Sequence, residues 1–360
     1  MPSPETARRW LQLLALSLGL SLVLVAFHLP AAWLLGSMGA SIVLSVRGVS
    51  PRLPALAVSC AQGMVGLLIA RGLNADALHQ LADHTALFLG MVLSVIAVSV
   101  SLGAVLYRLG VLPGTSALWG VFPGAASAMT VMAEAHGADV RFVALMQYLR
   151  VAIVVMVAST VMHAAPDPAA AADGTFTRLA RLTSAPFDPV ELGKTVLLAL
   201  GSVWIARRLR WPSGALLVPM ALGVTAQHLG WVRITQPAWL MMAVYSVIGW
   251  GIGRRFTREV VRHAWRSLPW LLAAIFALIG ACAGLSQALS RWGGIDPVTA
   301  YLATSPGGLD AVAILAASAH VDLPFVMGLQ TVRLLTLMVF GPLIVRSMVR
   351  LLARRQPPMS

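Results

Sequence analysis

The chain has 360 residues, of which 58% are hydrophobic and 11% charged, with a mean hydropathy of +0.82 and a formal net charge of +13. Soluble domains carry about a quarter charged residues, so a water-soluble globular class is excluded. The positive charge does not mark a nucleic-acid binder: its arginines fall in short clusters between apolar runs, and no segment could fold as a separate DNA-reading module.

In chain order, six apolar segments lie near 11–29, 31–46, 55–71, 84–108, 115–136 and 141–163. Six more follow near 190–206, 213–229, 237–253, 267–290, 296–319 and 324–345. Most are long enough to cross a bilayer core, which takes roughly 17–25 residues of helix. Between the two sets, the stretch 164–189 is polar and rich in Pro and Ala and reads as a solvated linker. Basic clusters at Arg8/Arg9, Arg207/Arg208/Arg210, 254–266 and 346–355 flank the runs, and Trp10, Trp33, Trp211, Trp231 and Trp292 stand near their ends. Both features belong to the membrane–water boundary. The expected class is an all-α polytopic membrane protein with about 10–12 transmembrane segments.

The two sets are copies. At an offset of 183 residues, Pro123-Gly124 meets Pro306-Gly307, Asp139 meets Asp322, Gln147 meets Gln330 and Arg150 meets Arg333. Upstream, Gly66 meets Gly249 and Arg71 meets Arg254; with a one-residue slip, 30–38 meets 212–220. The domain reading is a first membrane repeat over 1–163, the linker over 164–189 and a second repeat over 190–360.

The fifth segment of each repeat is interrupted by Pro123-Gly124 or by Pro306-Gly307-Gly308, where helix propagation fails. Loop charge decides how such a segment sits. With twelve full spans, Lys and Arg divide 14 inside to 10 outside; with re-entrant fifth segments they divide 18 to 6. The second arrangement obeys the positive-inside rule and gives each repeat an odd number of crossings. It predicts two inverted repeats, a common plan among secondary transporters, with both termini on the cytoplasmic side.

Candidate site residues follow from that plan. Asp139 and Asp322 open the last helix of each repeat and read as N-caps. Arg150 and Arg333 sit eleven residues further on, roughly 16 Å along the helix and near the middle of a ~30 Å core. Facing lipid there is costly, so both should face protein or a wet cavity, with Gln147 and Gln330 on the same helix face. Two roles remain open and compatible: bracing carbonyls freed by the broken helix, or binding an anion. The half-helix N-termini at Gly124 and Ser127, and at Gly307 and Gly308, present free N–H groups suited to an anionic ligand. Asp310 stands where the first copy has Ser127; it is the candidate for coupling an ion or proton, and pairing with an arginine is the close rival reading. Glu134 reads as interfacial.

No metal site is expected, because the eight histidines fall mostly at span ends and form neither an i, i+4 pair nor a cluster with Cys60 or Cys282. No phosphate loop, hydrolase elbow or other cofactor motif appears.

"PAAWLLGSMGAS", "FPGAASAMTVMAEAHGADVRFVALMQYLRV" and "SPGGLDAVAILAASAHVDLPFVMGLQTVRLL" resemble the duplicated membrane module of the AbrB family of bacterial inner-membrane proteins. The resemblance spans nearly the whole chain; Val218-Pro219 replaces the usual Gly-Pro of the second copy. It implies an inner-membrane location and brings two family labels, ammonia monooxygenase and regulator of gene expression. The first would need a convergent His/carboxylate ligand set, which the sequence does not offer. The second, without a DNA-reading domain, would act indirectly from the membrane. The functional expectation is a secondary transporter of a small solute, an anion among the candidates, with a membrane sensor as the alternative, monooxygenase activity far behind, and no enzymatic role favoured. Its partners would be the solute and membrane lipid, not nucleic acid, and the reading allows a homo-oligomer.

Overall fold

The computed structural model describes residues 4–27, 29, 31–72, 85–124, 126–164, 188–210, 214–259, 262, 265, 267–319 and 321–353. The linker expected over 164–189 therefore lies almost wholly outside the described residues. Everything regular among those residues is helix. The first repeat forms α1 (Pro4–Ala26), α2 (Ala32–Val46), α3 (Ala55–Gly72), α4 (Thr85–Arg108), α5 (Ser116–Val121), α6 (Ala126–Ala135) and α7 (Val140–Ala164). The second forms α8 (Pro189–Leu209), α9 (Gly214–His228), α10 (Ala238–Gly253), α11 (Leu268–Gly293), α12 (Pro297–Thr304), α13 (Leu309–Ala317) and α14 (Leu323–Ala353). Each expected apolar segment is a helix, except that the fifth of each repeat is two short ones parted at Pro-Gly. Six helices are long and apolar enough to cross a membrane: α1, α4, α7, α8, α11 and α14. The chain is an all-helical polytopic membrane protein.

Local chemistry sets several boundaries. Asp188 caps α8 by accepting from the N–H groups of Val190 (2.9 Å) and Glu191 (3.4 Å), with Pro189 in the first turn. Asp296 caps α12 through the N–H of Thr299 at 2.8 Å, followed by Pro297. Asp139 and Asp322 immediately precede α7 and α14, at the expected capping positions. The N–H of Asp139 donates to Ser116 Oγ at 3.0 Å, tying the start of α7 to the start of α5.

The helices gather into two compact units. One comprises residues 1–80, 155–259 and 312–324, and so contains the first three helices of both repeats. Within it, α2 lies against α10 and α3 against α9, a reciprocal exchange between the copies. The contacts are equivalent residue by residue. A Cβ on Gly249 would stand 2.6 Å from the Leu34 carbonyl oxygen and 2.9 Å from the Met38 nitrogen. A Cβ on Gly66 would collide with the Leu216 carbonyl oxygen and stand 3.2 Å from the Met220 nitrogen. Small residues here let two backbones touch, as in other membrane helix pairs where apolar burial offers no driving force. The matched positions of Gly66 and Gly249 in the sequence thus mark matched helix crossings. Trp250 anchors one flank by donating from its indole to Ser17 Oγ at 2.8 Å.

The other unit comprises residues 81–154, 260–311 and 325–360, and holds the later helices of both repeats, including both Pro-Gly breaks. Here α4 lies against α5 and α11, and α11 against α12.

A candidate site at two braced helix breaks

In an unbroken helix the carbonyl of Trp119 would accept from the N–H four residues later. That residue is Pro123, which has none. The same arithmetic orphans the carbonyl of Leu302 against Pro306. Both carbonyls are met by a glutamine from the last helix of the repeat. Gln147 Nε2 donates to Trp119 O and Phe122 O, each at 3.0 Å. Gln330 Nε2 reaches Leu302 O at 2.8 Å, Ser305 O at 3.2 Å and Ala303 O at 3.3 Å.

Each arginine completes the repair one turn along. Arg150 Nη1 donates to Phe122 O (2.8 Å) and Val121 O (3.1 Å), while its Nη2 donates to Gln147 Oε1 at 2.7 Å. Arg333 Nη1 donates to Ser305 O at 2.8 Å, and its Nη2 donates to Gly307 O at 3.2 Å and to Gln330 Oε1. The i, i+3 spacing of Gln and Arg lets one side chain fix the other while both face the break. Bracing of each break by the arginine of its own repeat is therefore present in the geometry.

Bracing leaves charge and donors over. Both guanidinium groups are buried, with relative exposures of 0% and 1%, and among the described residues neither pairs with a carboxylate. Among the described residues the Nε of each has no hydrogen-bond partner. A buried charge without a counter-charge is expensive in a low-dielectric interior, and an unmet donor adds to the cost. An arginine also keeps its proton under nearly all conditions. Two cations with spare N–H groups thus sit in one compact unit, beside two broken helices.

Gly124, Gly307 and Gly308 are buried next to their breaks, and the side chain of Met129 closes over Gly124. Ser127 and Asp310 lie in the first turns of α6 and α13, but their side chains are outside the described residues. Polar side chains that sequence reasoning passed over also line the second break. Thr304 Oγ1 donates to Cys282 O (3.2 Å) and Ala300 O (2.9 Å), and Ser305 Oγ to Leu302 O (3.0 Å). Their signal was available: the first copy has Val121 and Phe122 in those slots. Among the described residues no group of three or more His, Cys, Asp or Glu is arranged to hold a metal ion.

An all-helical membrane protein built from two copies, each with a helix broken at Pro-Gly and tied by a buried Gln–Arg pair, is the class this arrangement defines. The model of the AbrB family, described as "Transition state regulatory protein AbrB", matches residues 33–349, and the chain belongs to that family. It is similar to a protein of Escherichia coli (strain K12) named "Putative regulator AbrB", 41% identical over 94% of this chain and 96% of the relative. It is also similar to "Uncharacterized protein YhjN" of Bacillus subtilis (strain 168), 25% identical over 95% of this chain and 94% of the relative.

Proposed function

We propose that the chain is a secondary transporter of a small anionic solute in the bacterial inner membrane. The observation that carries the reading is the pair of buried guanidinium groups, each braced through Nη, each with an unpartnered Nε–H and no carboxylate partner among the described residues. An anion arriving there supplies the missing counter-charge and accepts the spare hydrogen bonds, so charge already desolvated is used for binding. In this reading Arg150 and Arg333 hold the anionic group, with Gln147 and Gln330 setting their orientation. The N–H groups at Gly124, Ser127, Gly307 and Gly308 contribute positive dipole ends, and Asp310 takes up the coupling ion or proton. The two repeats lie inverted, with both termini cytoplasmic, the topology that puts most of the arginines inside.

A second reading has a specific warrant in the names the family model and the Escherichia coli relative carry, both of which speak of regulation. On that reading the same site senses its ligand without moving it, and any effect on gene expression passes through a cytoplasmic partner. Solute counterflow in proteoliposomes separates the two. Transport predicts exchange of an internal labelled anion for the external unlabelled one, lost in Arg333→Gln; binding without exchange by a well-folded wild type would overturn it in favour of sensing.

A further inference from the structure

Between α3 and α8, within the unit that holds the first three helices of each repeat, runs a groove of about 430 Å³. Its lining divides sharply in character. Leu56, Leu200, Val203 and Trp204 form an apolar trough with Cys60 in its wall, and Arg207 and Arg208 close one end. The trough can form because Gly63 lets α3 come close to α8: a Cβ there would stand 2.6 Å from Val203 Cγ2 and 3.7 Å from the Ala199 carbonyl oxygen. Leu56, Leu200 and Trp204 are exposed, at 57%, 48% and 61%. Such exposure suits contact with acyl chains and would be costly in water.

The basic end is set for an acid. Arg208 lies over the Trp204 ring, 5.2 Å from its centroid, a cation–π contact that holds the guanidinium beside the trough. Among the described residues neither Arg207 nor Arg208 makes a hydrogen bond or ion pair. The duplication supplies a contrast. The matching end of α1 carries Leu24, Val25 and Ala26, none of them basic. The basic pair stands at the end of α8 and not at the matching end of α1, so the duplicated pattern does not by itself require it.

We propose that this groove binds one anionic phospholipid molecule, with an acyl chain along Leu56, Leu200 and Val203 and the phosphodiester on Arg207 and Arg208. Basic pockets between membrane helices recognise anionic headgroups in this way, and a paired arginine fork matches the phosphate oxygens.

Cys60 supplies the readout, since it is the partly exposed thiol in the groove wall and Cys282 is buried. The test is the rate of maleimide labelling of Cys60 in the full chain, reconstituted in nanodiscs of phosphatidylglycerol or of phosphatidylcholine. Native mass spectrometry of retained lipid accompanies it. Labelling slower in phosphatidylglycerol, with that lipid retained in preference, is the expected result. Arg207→Gln/Arg208→Gln lowers the preference about 30-fold, roughly fivefold for each arginine. Arg346→Gln/Arg350→Gln, which removes as much charge elsewhere, keeps it. Should the first double variant fail to fold, Leu200→Trp fills the trough while leaving both arginines, and it too must lose retained lipid. Equal labelling in the two lipids, a preference surviving Arg207→Gln/Arg208→Gln, or the same loss in Arg346→Gln/Arg350→Gln would each overturn the proposal.

Discussion

The two Pro-Gly breaks occupy matching positions in the sequence and are tied by the same two residue types, yet they are wired differently. At the first, Arg150 and Gln147 bind carbonyls of residues 119, 121 and 122, all before Pro123, so the brace secures the end of the incoming half-helix. At the second, Arg333 takes Ser305 O on one side of Pro306 and Gly307 O on the other. That brace straddles the break and holds the backbone at Gly307, just ahead of the outgoing half-helix that starts at Leu309. The first is flanked by apolar Val121 and Phe122; the second carries the hydroxyls of Thr304 and Ser305. A copy that only terminates a helix tolerates apolar neighbours. A copy that aims a half-helix, with an acidic residue in its first turn, calls for more hydrogen bonds, and the second break has them.

The sharpest way to break this comparison is to remove the braces one at a time. Arg150→Leu and Arg333→Leu should each destabilise the detergent-purified protein by about 3 kcal/mol, because orphaned buried carbonyls cost roughly 1–3 kcal/mol each. Thermal or denaturant melts would show it. Stability unchanged in both variants would mean that the carbonyls find other partners and that the pairing is incidental. A smaller effect should separate the two copies. Thr304→Val removes hydrogen bonds the first break never had, and about 1 kcal/mol should be lost. The reverse change, Val121→Thr, should gain nothing, and a matching gain there would show the two breaks to be interchangeable.

Much of this was legible in the sequence because polar residues in an apolar chain are few and expensive. Asp, Gln and Arg recurring at one offset revealed the duplication, placed the arginines deep in their helices and pointed to bracing as one of their roles. The proline-to-carbonyl register was implicit too: Trp119 and Leu302 lie four residues before Pro123 and Pro306. What the sequence did not reveal is which helices meet. Gly66 and Gly249 align perfectly, but nothing in a linear pattern says that each glycine receives the second helix of the other copy. Likewise, the boundary between compact units falls within repeats, because packing partners are chosen in space and not by chain order. Arg207 and Arg208 read only as a basic cluster, since the groove they close is made by α3, more than 130 residues earlier.

The central claim is that the buried arginines both hold the breaks and offer an anion its counter-charge. Thermal stabilisation of wild type, Arg150→Gln and Arg333→Gln by a panel of small carboxylates, amines and amino acids, with and without sodium and at two pH values, tests it most directly. The account predicts that one anionic class stabilises the wild type, by about 2.7 kcal/mol at a hundred times its Kd. That gain should be lost in Arg333→Gln, beyond the lower starting melting point both variants share. If no anion stabilises the wild type while both variants simply melt lower, the arginines are braces and nothing more, and the transporter reading loses its chemical centre.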